Sequence, residues 1–339
     1  MNDDITQLRR EISAAVERLF SGGGHAIAST AARAREVNPP FLLSVARGSS
    51  DHACTCLKHA GELVLKRPLA SVGPSVASQC GVELDTSGAM CMSISQSGQG
   101  PGIVQMTKAF RAGGALTIGI TNNPASGLAD VVGRALPVHA GSELSVAATK
   151  TLVISLAAGL WLIAEVKAHA SLLSAIRAMP DHIEAGTRCD SSPAADVIDG
   201  QSLFALGRGP SWAISNETAL KFKDSCLMHA ESCSSAEVCR GPVAVVDHGF
   251  PVIAFAADDA AEDSSAETAD AVVDKGGQVF AVTDKVKRAA RLQHARTDHW
   301  LTDPIAAIVS FYGMVEAVAL RRGIDPGALR HLDKVTETT

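Results

Sequence analysis

The sequence predicts an α/β protein made of two successive three-layer αβα domains, each holding a parallel sheet between helices. Three observations predict it. Short apolar runs closed by Gly/Ser-rich turns alternate with longer helical stretches, as in βα units. Three of those strand–turn units recur in the same order about 161 residues further on. The composition, 46% hydrophobic but only 4% aromatic with 29 glycines, suits closely packed α/β layers.

In chain order, residues 5–20 read as an amphipathic helix, with Ile5, Leu8, Ile12, Val16 and Leu19 at three- and four-residue steps and SGGG as its stop. FLLSVARGSS (41–50) is a strand running into a turn, followed by MCMSISQSGQG (90–100), ALTIGITNN (115–123) and the short ALPVHAG (135–141). Residues 148–168 form a long apolar helix. The pattern then repeats: SLFALGRGPS (202–211) echoes 41–50, FPVIAFAADD (250–259) echoes MSISQSGQ, and KGGQVFAVTD (275–284) echoes AGGALTIGIT. The polar stretch 185–200 reads as the bridge, and a helix at 304–322 precedes an exposed tail. The expected organisation is an N-terminal helical segment (1–35), a first domain (36–185), a second (198–324) and a tail (325–339) that closes over a site.

A formal charge of −6 without a long like-charged run argues against a nucleic-acid partner. The N-terminus MNDDITQLRREISAAVERLF lacks the layout of a secretion signal. The most apolar stretch, TLVISLAAGLWLIAEV, is shorter than the roughly 20 residues of a membrane span and reads as a buried helix. A soluble cytoplasmic protein without membrane contact is therefore expected. Cys54, Cys56, Cys80, Cys91, Cys189, Cys226, Cys233 and Cys239 form no C-x-x-C pair, and most read as small buried hydrophobes rather than disulfides or metal ligands.

In an open parallel sheet, ligands bind outside the carboxyl ends of the strands. Two turns there stand out: Gly48-Ser49-Ser50 after the first strand and Ser95-Gln96-Ser97-Gly98 after the second. Small residues let backbone N–H groups approach an anion, and hydroxyls and a following helix N-terminus add donors. Alone, each turn fits an ordinary helix cap. As a pair in this order they fit a phosphate cradle that needs no lysine.

SISQSGQG resembles the phosphate-binding S-Q-S-G loop of the sugar isomerase (SIS) family, and ARGSS resembles that family's first loop. GSELSVAATKT (141–151) is similar to its third signature, and ETALKFKD (217–224), HAES (229–232), AEVCRGPVAVV (236–246) and LRHLDKVTET (329–338) follow in the family's order. Within the family the motifs resemble both the isomerase half of glucosamine-6-phosphate synthase and the SIS-type glucosamine-6-phosphate deaminases, with V-A-A-T-K and K-V-T-E-T leaning to the latter. A chain that begins MNDD is also not expected to open with the synthase's glutaminase domain, which needs an N-terminal cysteine. The resemblance implies two tandem flavodoxin-like SIS domains and a homodimer with shared active sites.

It further implies phosphate contacts from Ser50, Ser95, Gln96 and Ser97, within the loops that hold Gly48 and Gly98, and sugar contacts from Ser49 and the backbone of Val146, Ala147 and Ala148. Glu217, Lys221 and Asp224, spaced i, i+4, i+7, share one helix face. Outside such a motif that spacing describes a solvated stripe; inside it, the resemblance makes the three catalytic. Arg330 and Lys334 match tail residues that shut the site. Three positions depart from the family. Asp224 stands where Glu shuttles the proton between C1 and C2, Arg240 where His opens the ring, and Gly100 where many relatives place a hydroxyl on the phosphate. Arginine stays protonated at neutral pH and is a poor acid or base. His229, Glu231 and His331 are the possible substitutes.

The implied reaction converts glucosamine 6-phosphate to fructose 6-phosphate and ammonia, without cofactor, metal or nucleotide. The alternatives are another phosphosugar isomerase, a fructosamine 6-phosphate deglycase, or a sugar-phosphate-binding regulator without turnover.

Overall fold

The computed structural model describes residues 7–143 and 148–325. These divide into two compact units, residues 14–143 with 148–177 and residues 7–13 with 178–325.

The N-terminal unit carries the second half of α1 (Gln7–Gly22) and then α2 (Gly24–Val37), β1 (Leu42–Val45), α3 (Ser49–Ala60), β2 (Leu69–Ser71), α4 (Ser75–Ser78), β3 (Met90–Ile94), α5 (Pro101–Ala112), β4 (Leu116–Thr121), α6 (Gly127–Val131), β5 (Arg134–Pro137), α7 (Lys150–Lys167) and α8 (Ala170–Arg177). Its five strands run parallel in the order β2-β1-β3-β4-β5. Every residue of β1 and β3 is buried, as expected of strands covered on both faces. One face packs Leu43, Val45 and Cys91 against Ile103, Met106 and Phe110 of α5 and Leu128 of α6. Helix α7, apolar on all sides, is buried along almost its whole length, and Trp161 stacks on Phe20 of α1 with ring centres 5.0 Å apart.

The C-terminal unit follows with α9 (Met179–Thr187), α10 (Ser192–Ala195), β6 (Ser202–Gly207), α11 (Pro210–Cys226), β7 (His229–Ser234), β8 (Pro251–Phe255), α12 (Glu262–Val273), β9 (Gln278–Val282), β10 (Ala290–Arg291) and α13 (Asp303–Arg321). Its sheet is also parallel and five-stranded, in the order β7-β6-β8-β9-β10. Matched strand for strand, the two orders are the same. Phe311 of α13 meets Phe222 of α11 and Phe255 of β8 edge-on at 5.5 and 6.0 Å. Beyond the carboxyl ends of β8 and β9 lies a knot of charge. The Asp303 carboxylate accepts the N–H groups of Asp258 and Thr297, both at 2.9 Å, and the Arg296 guanidinium at 3.1 Å. Arg296 also pairs with Glu262, which accepts the Thr283 hydroxyl at 2.7 Å.

Two expectations change. SGGG does end α1, but at Gly22 and not at residue 20, and α2 starts at Gly24. The burial of Ile12, Ala15, Val16 and Leu19 outweighs the helix cost of about 1 kcal/mol per glycine. The 185–200 stretch is not merely a polar bridge, since it holds the end of α9 and α10 and buries Ala194, Ala195 and Ile198. Among the described residues one helix, α13, is long and apolar enough to cross a membrane, and 78% of its apolar window is buried within the protein.

Candidate active site

β1 and β3 are neighbours, so the two Ser/Gly turns emerge side by side at the carboxyl end of the N-terminal unit's sheet. Gly48 turns the chain at φ +58°, ψ −139°, a conformation that strains any residue with a Cβ, and α3 begins at once with the buried Ser49 and half-buried Ser50. After β3, the loop is held from both sides. Ser95 donates its N–H to the Ile120 carbonyl at 3.1 Å, and the Gln96 carbonyl accepts the Thr121 hydroxyl at 3.3 Å and the Asn122 N–H at 3.1 Å. Gly98 takes φ +64°, and a Cβ there would lie 2.1 Å from Ser126 Oγ. The Ser95 hydroxyl accepts the Gly98 N–H at 3.1 Å and the Ser97 hydroxyl accepts the Gln99 N–H at 3.3 Å. Both serines thus keep their O–H hydrogens for donation elsewhere. Gly100 caps α5 without a side-chain bond, which leaves the first-turn N–H groups of α5 to another acceptor.

The third signature contains a clasp that the sequence reading missed. The buried Glu143 carboxylate accepts the Thr149 N–H at 2.8 Å and the Thr149 hydroxyl at 3.4 Å. It also accepts the Thr151 N–H at 3.4 Å and pairs with the Thr151 hydroxyl. Lys150 donates from Nζ to the Ser142 carbonyl at 2.6 Å. Glu143 thereby caps α7 and ties together both ends of the segment that carries Val146, Ala147 and Ala148. Ala148 is half-buried; Val146 and Ala147 lie outside the described residues. The signal in GSELSVAATKT was an acid six residues ahead of the N-cap threonine, whose own side chain makes no capping bond.

In the C-terminal unit, Glu217, Lys221 and Asp224 come together on one face of α11. That face is turned inward, so the solvated-stripe alternative fails: Glu217 is 0% and Lys221 1% exposed. Lys221 Nζ lies 2.7 Å from Asp224 Oδ2 and 3.6 Å from Glu217 Oε1, and Ser225 donates its hydroxyl to Asp224 Oδ1 at 2.7 Å. A buried ammonium needs this company, because an ion without it is costly in a low dielectric. Burial is the largest influence and raises the Asp224 pKa above the ordinary carboxylate range; Lys221 and Ser225 oppose it, and Glu217 adds to it. The burial of most cysteines holds: Cys80 and Cys239 are the exposed ones, and burial pushes the thiols of Cys56 and Cys91 up to about 12.

The remaining candidates are more open. His229 and Glu231 are exposed on the edge strand β7, with the His229 ring 3.3 Å from the Ser202 hydroxyl. Arg240 is exposed at the end of a single 3-10 turn, Val238–Arg240. Arg330, His331 and Lys334 lie outside the described residues. The Ser/Gly loops and the α11 cluster belong to different units.

No family model matches the chain. Among solved structures, a candidate phosphosugar isomerase from Silicibacter pomeroyi DSS-3 is 51% identical with a TM-score of 0.91, over 95% of this chain and 99% of that one. The chain belongs to the sugar isomerase (SIS) family. The glutamine–fructose-6-phosphate aminotransferase (isomerizing) of Synechocystis is 32% identical to this SIS protein over 238 residues, 65% of the present chain and 38% of that relative. The chain thus spans less than half the length of the curated relatives it first matches, 38% and 42%. The SIS fold also matches the glucosamine-6-phosphate deaminase of Thermotoga maritima, with TM-score 0.72 and 19% identity over 93% of this chain and 99% of that one. At that identity the likeness concerns the fold.

Proposed function

We propose that this protein is a phosphosugar isomerase of two tandem SIS domains that converts glucosamine 6-phosphate to fructose 6-phosphate and ammonia. The observation that carries the reading is the α11 cluster, a buried carboxylate of raised pKa 2.7 Å from a lysine, in a chain half identical to a candidate phosphosugar isomerase. A carboxylate of raised pKa is a stronger base, when ionised, than one in water.

In this reading the phosphate is held by Ser50, Ser95, Gln96 and Ser97, with the α5 N-terminus supplying backbone donors. Phosphate binding fixes the reacting carbons. The open-chain sugar loses its C2 proton to Asp224 and receives a proton at C1, so the C2–amine becomes an imine. Water adds to that imine and ammonia departs, leaving the C2 ketone. Lys221 holds Asp224 in place and balances its charge, and Glu217 holds Lys221 from the other side. Arg330 and Lys334 close the site, Arg240 lies where the ring-opening group is expected, and two chains pair as a cytoplasmic homodimer.

The exposed Arg240 favours a second reading, because arginine cannot pass a proton at neutral pH. In that reading the chain binds a sugar phosphate without turning it over. The deciding experiment incubates purified protein with glucosamine 6-phosphate and measures ammonia and fructose 6-phosphate together. Equal amounts of both support the deaminase. A ketose without ammonia turns the reading to plain isomerisation, and tight binding with neither product turns it to the regulator.

A further inference from the structure

Three helical segments of the N-terminal unit end around one recess, and each ends on a left-handed residue. Helix α2 stops before Asn38 (φ 47°), a π-helical turn (Gly61–Leu65) before Lys66 (φ 57°), and α7 before Ala168 (φ 53°). A left-handed cap turns the chain sharply off the helix axis. Between these ends lies a cavity of about 210 Å³. Asn38 leads into β1, whose other end opens the Gly48 loop, so the cavity and the Ser/Gly turns lie at opposite ends of the sheet.

Ala34, Pro39, Leu65 and Val166 give the cavity apolar walls, and Arg35, Arg67 and Lys167 give it charge. Among the described residues no carboxylate pairs with any of these three cations. The acids beside Arg35 and Lys167 in sequence are engaged elsewhere: Glu36 pairs with Arg33 at 2.9 Å, and Glu165 accepts the Trp161 indole N–H at 3.3 Å. Arg35 donates to the Glu165 carbonyl at 2.6 Å and Arg67 to Asn38 Oδ1 at 3.4 Å. Each bond uses one of the guanidinium's several N–H donors and leaves the rest. Cations at helix C-termini can serve only to offset the dipole. Here the sum decides: three helix ends of about −0.5 each amount to about −1.5, against three whole positive charges. The recess keeps a positive excess in a chain whose formal charge is −6.

We infer that this recess binds a small di- or tricarboxylic acid, at a site separate from the proposed phosphate loop and independent of the phosphosugar reading. The lining selects the class. A phosphate is served best by convergent backbone N–H groups, whereas helix C-termini present carbonyls. Guanidinium forks match carboxylates, and the hydrocarbon between the carboxylates would lie on the apolar walls. The volume is below the roughly 300–1,000 Å³ of sites for drug-sized ligands and suits a metabolite of a few carbons.

Calorimetric titration of the whole chain tests it, with citrate as probe and pyrophosphate as a multiply charged anion without hydrocarbon. Citrate should bind the wild type at one site per chain. The double variant Arg67→Gln/Lys167→Gln should cut its affinity by about tenfold or more, while glucosamine 6-phosphate binding stays as it was. Arg67→Lys/Lys167→Arg, which keeps both charges, should retain most of the citrate affinity. Lys167 is exposed and Arg67 half-buried at the rim, so the urea midpoint of the Gln variant should match the wild type. Ser97→Ala should leave citrate binding unchanged. Loss of citrate binding in the Gln variant supports the site even if glucosamine 6-phosphate does not bind at all. Citrate that binds the Gln variant as well as the wild type, or does not bind the wild type, overturns it. Citrate displaced by glucosamine 6-phosphate, or lost in Ser97→Ala, belongs to the phosphate loop and overturns it too. If pyrophosphate is the tighter of the two and is lost with the same cations, the recess takes phosphates and the carboxylate assignment falls.

Discussion

Asp224 and Lys221 sit one helical turn apart with 2.7 Å between carboxylate and ammonium, and the carboxylate nevertheless titrates above its ordinary range because its surroundings are dry. Asp224→Asn keeps shape and hydrogen bonding and removes the proposed base. Turnover should fall about 10²–10⁴-fold with little change in KM. Glu231→Gln, on an exposed edge strand, should leave turnover near normal. Steady-state kinetics on the two variants checks this, and the opposite pattern would move the base to Glu231.

The pH profile carries the same signature. A base must be ionised, so the acid limb of kcat/KM should lie above the value of about 3.9 for an unperturbed aspartate and disappear in Asp224→Asn. The stability sign is the reverse of a salt-bridged carboxylate. Between the unfolded and the raised folded pKa, the folded protein keeps a proton that the unfolded chain has released. This group therefore lowers stability as pH rises through that window and restores it as pH falls. Urea midpoints of wild type and Asp224→Asn across that interval would show the difference.

Lys221→Met should be severe for folding as well as activity. It leaves Glu217 and Asp224 buried without the ammonium between them, a loss of about 3–5 kcal/mol for a broken buried pair. A urea midpoint within error of the wild type would show that the cluster relaxes into water.

In the proposed phosphate loop, Ser97→Ala would remove one charge-assisted hydrogen bond of about 1.5–3 kcal/mol and should weaken sugar-phosphate binding roughly tenfold or more. Gly98→Ala should be worse, because its Cβ would stand 2.5 Å from the Ser126 Cβ at a φ of +64°. At Gly48, where nothing lies within 4 Å of the added carbon, the same change costs backbone strain alone, on the order of 1–3 kcal/mol. Calorimetry and thermal melts on the three variants should rank them this way for stability.

Removing residues 324–339 should leave a folded protein without turnover, since α13 already ends at Arg321 and Gly323 turns the chain with φ +67°. Circular dichroism with the coupled product assay checks both halves. Dialysis against a chelator should leave the full-length enzyme unchanged.

What could be read from the sequence was local or periodic. Strands closed by Ser/Gly turns stand where expected because apolar runs and turn residues act over a few positions. The shared face of Glu217, Lys221 and Asp224 follows from helical spacing alone. What escaped depends on residues brought together from afar. Nothing near Asp224 in sequence tells how much water surrounds it. Arg35 and Lys167 are 132 positions apart, and the recess they line becomes visible only when the helix ends around it are in place. Glu143 went unassigned because its partners lie six and eight residues on.

The carboxylate of Asp303, gripped by Asp258, Arg296 and Thr297, has a consequence for stoichiometry. The mouth of the C-terminal sheet already houses an anion of the chain's own making, with amide and guanidinium donors turned to it. A sugar phosphate arriving there would have to evict a tethered resident that is never dilute. Titrations should accordingly saturate at one ligand per chain, bound at the proposed loop of the N-terminal sheet.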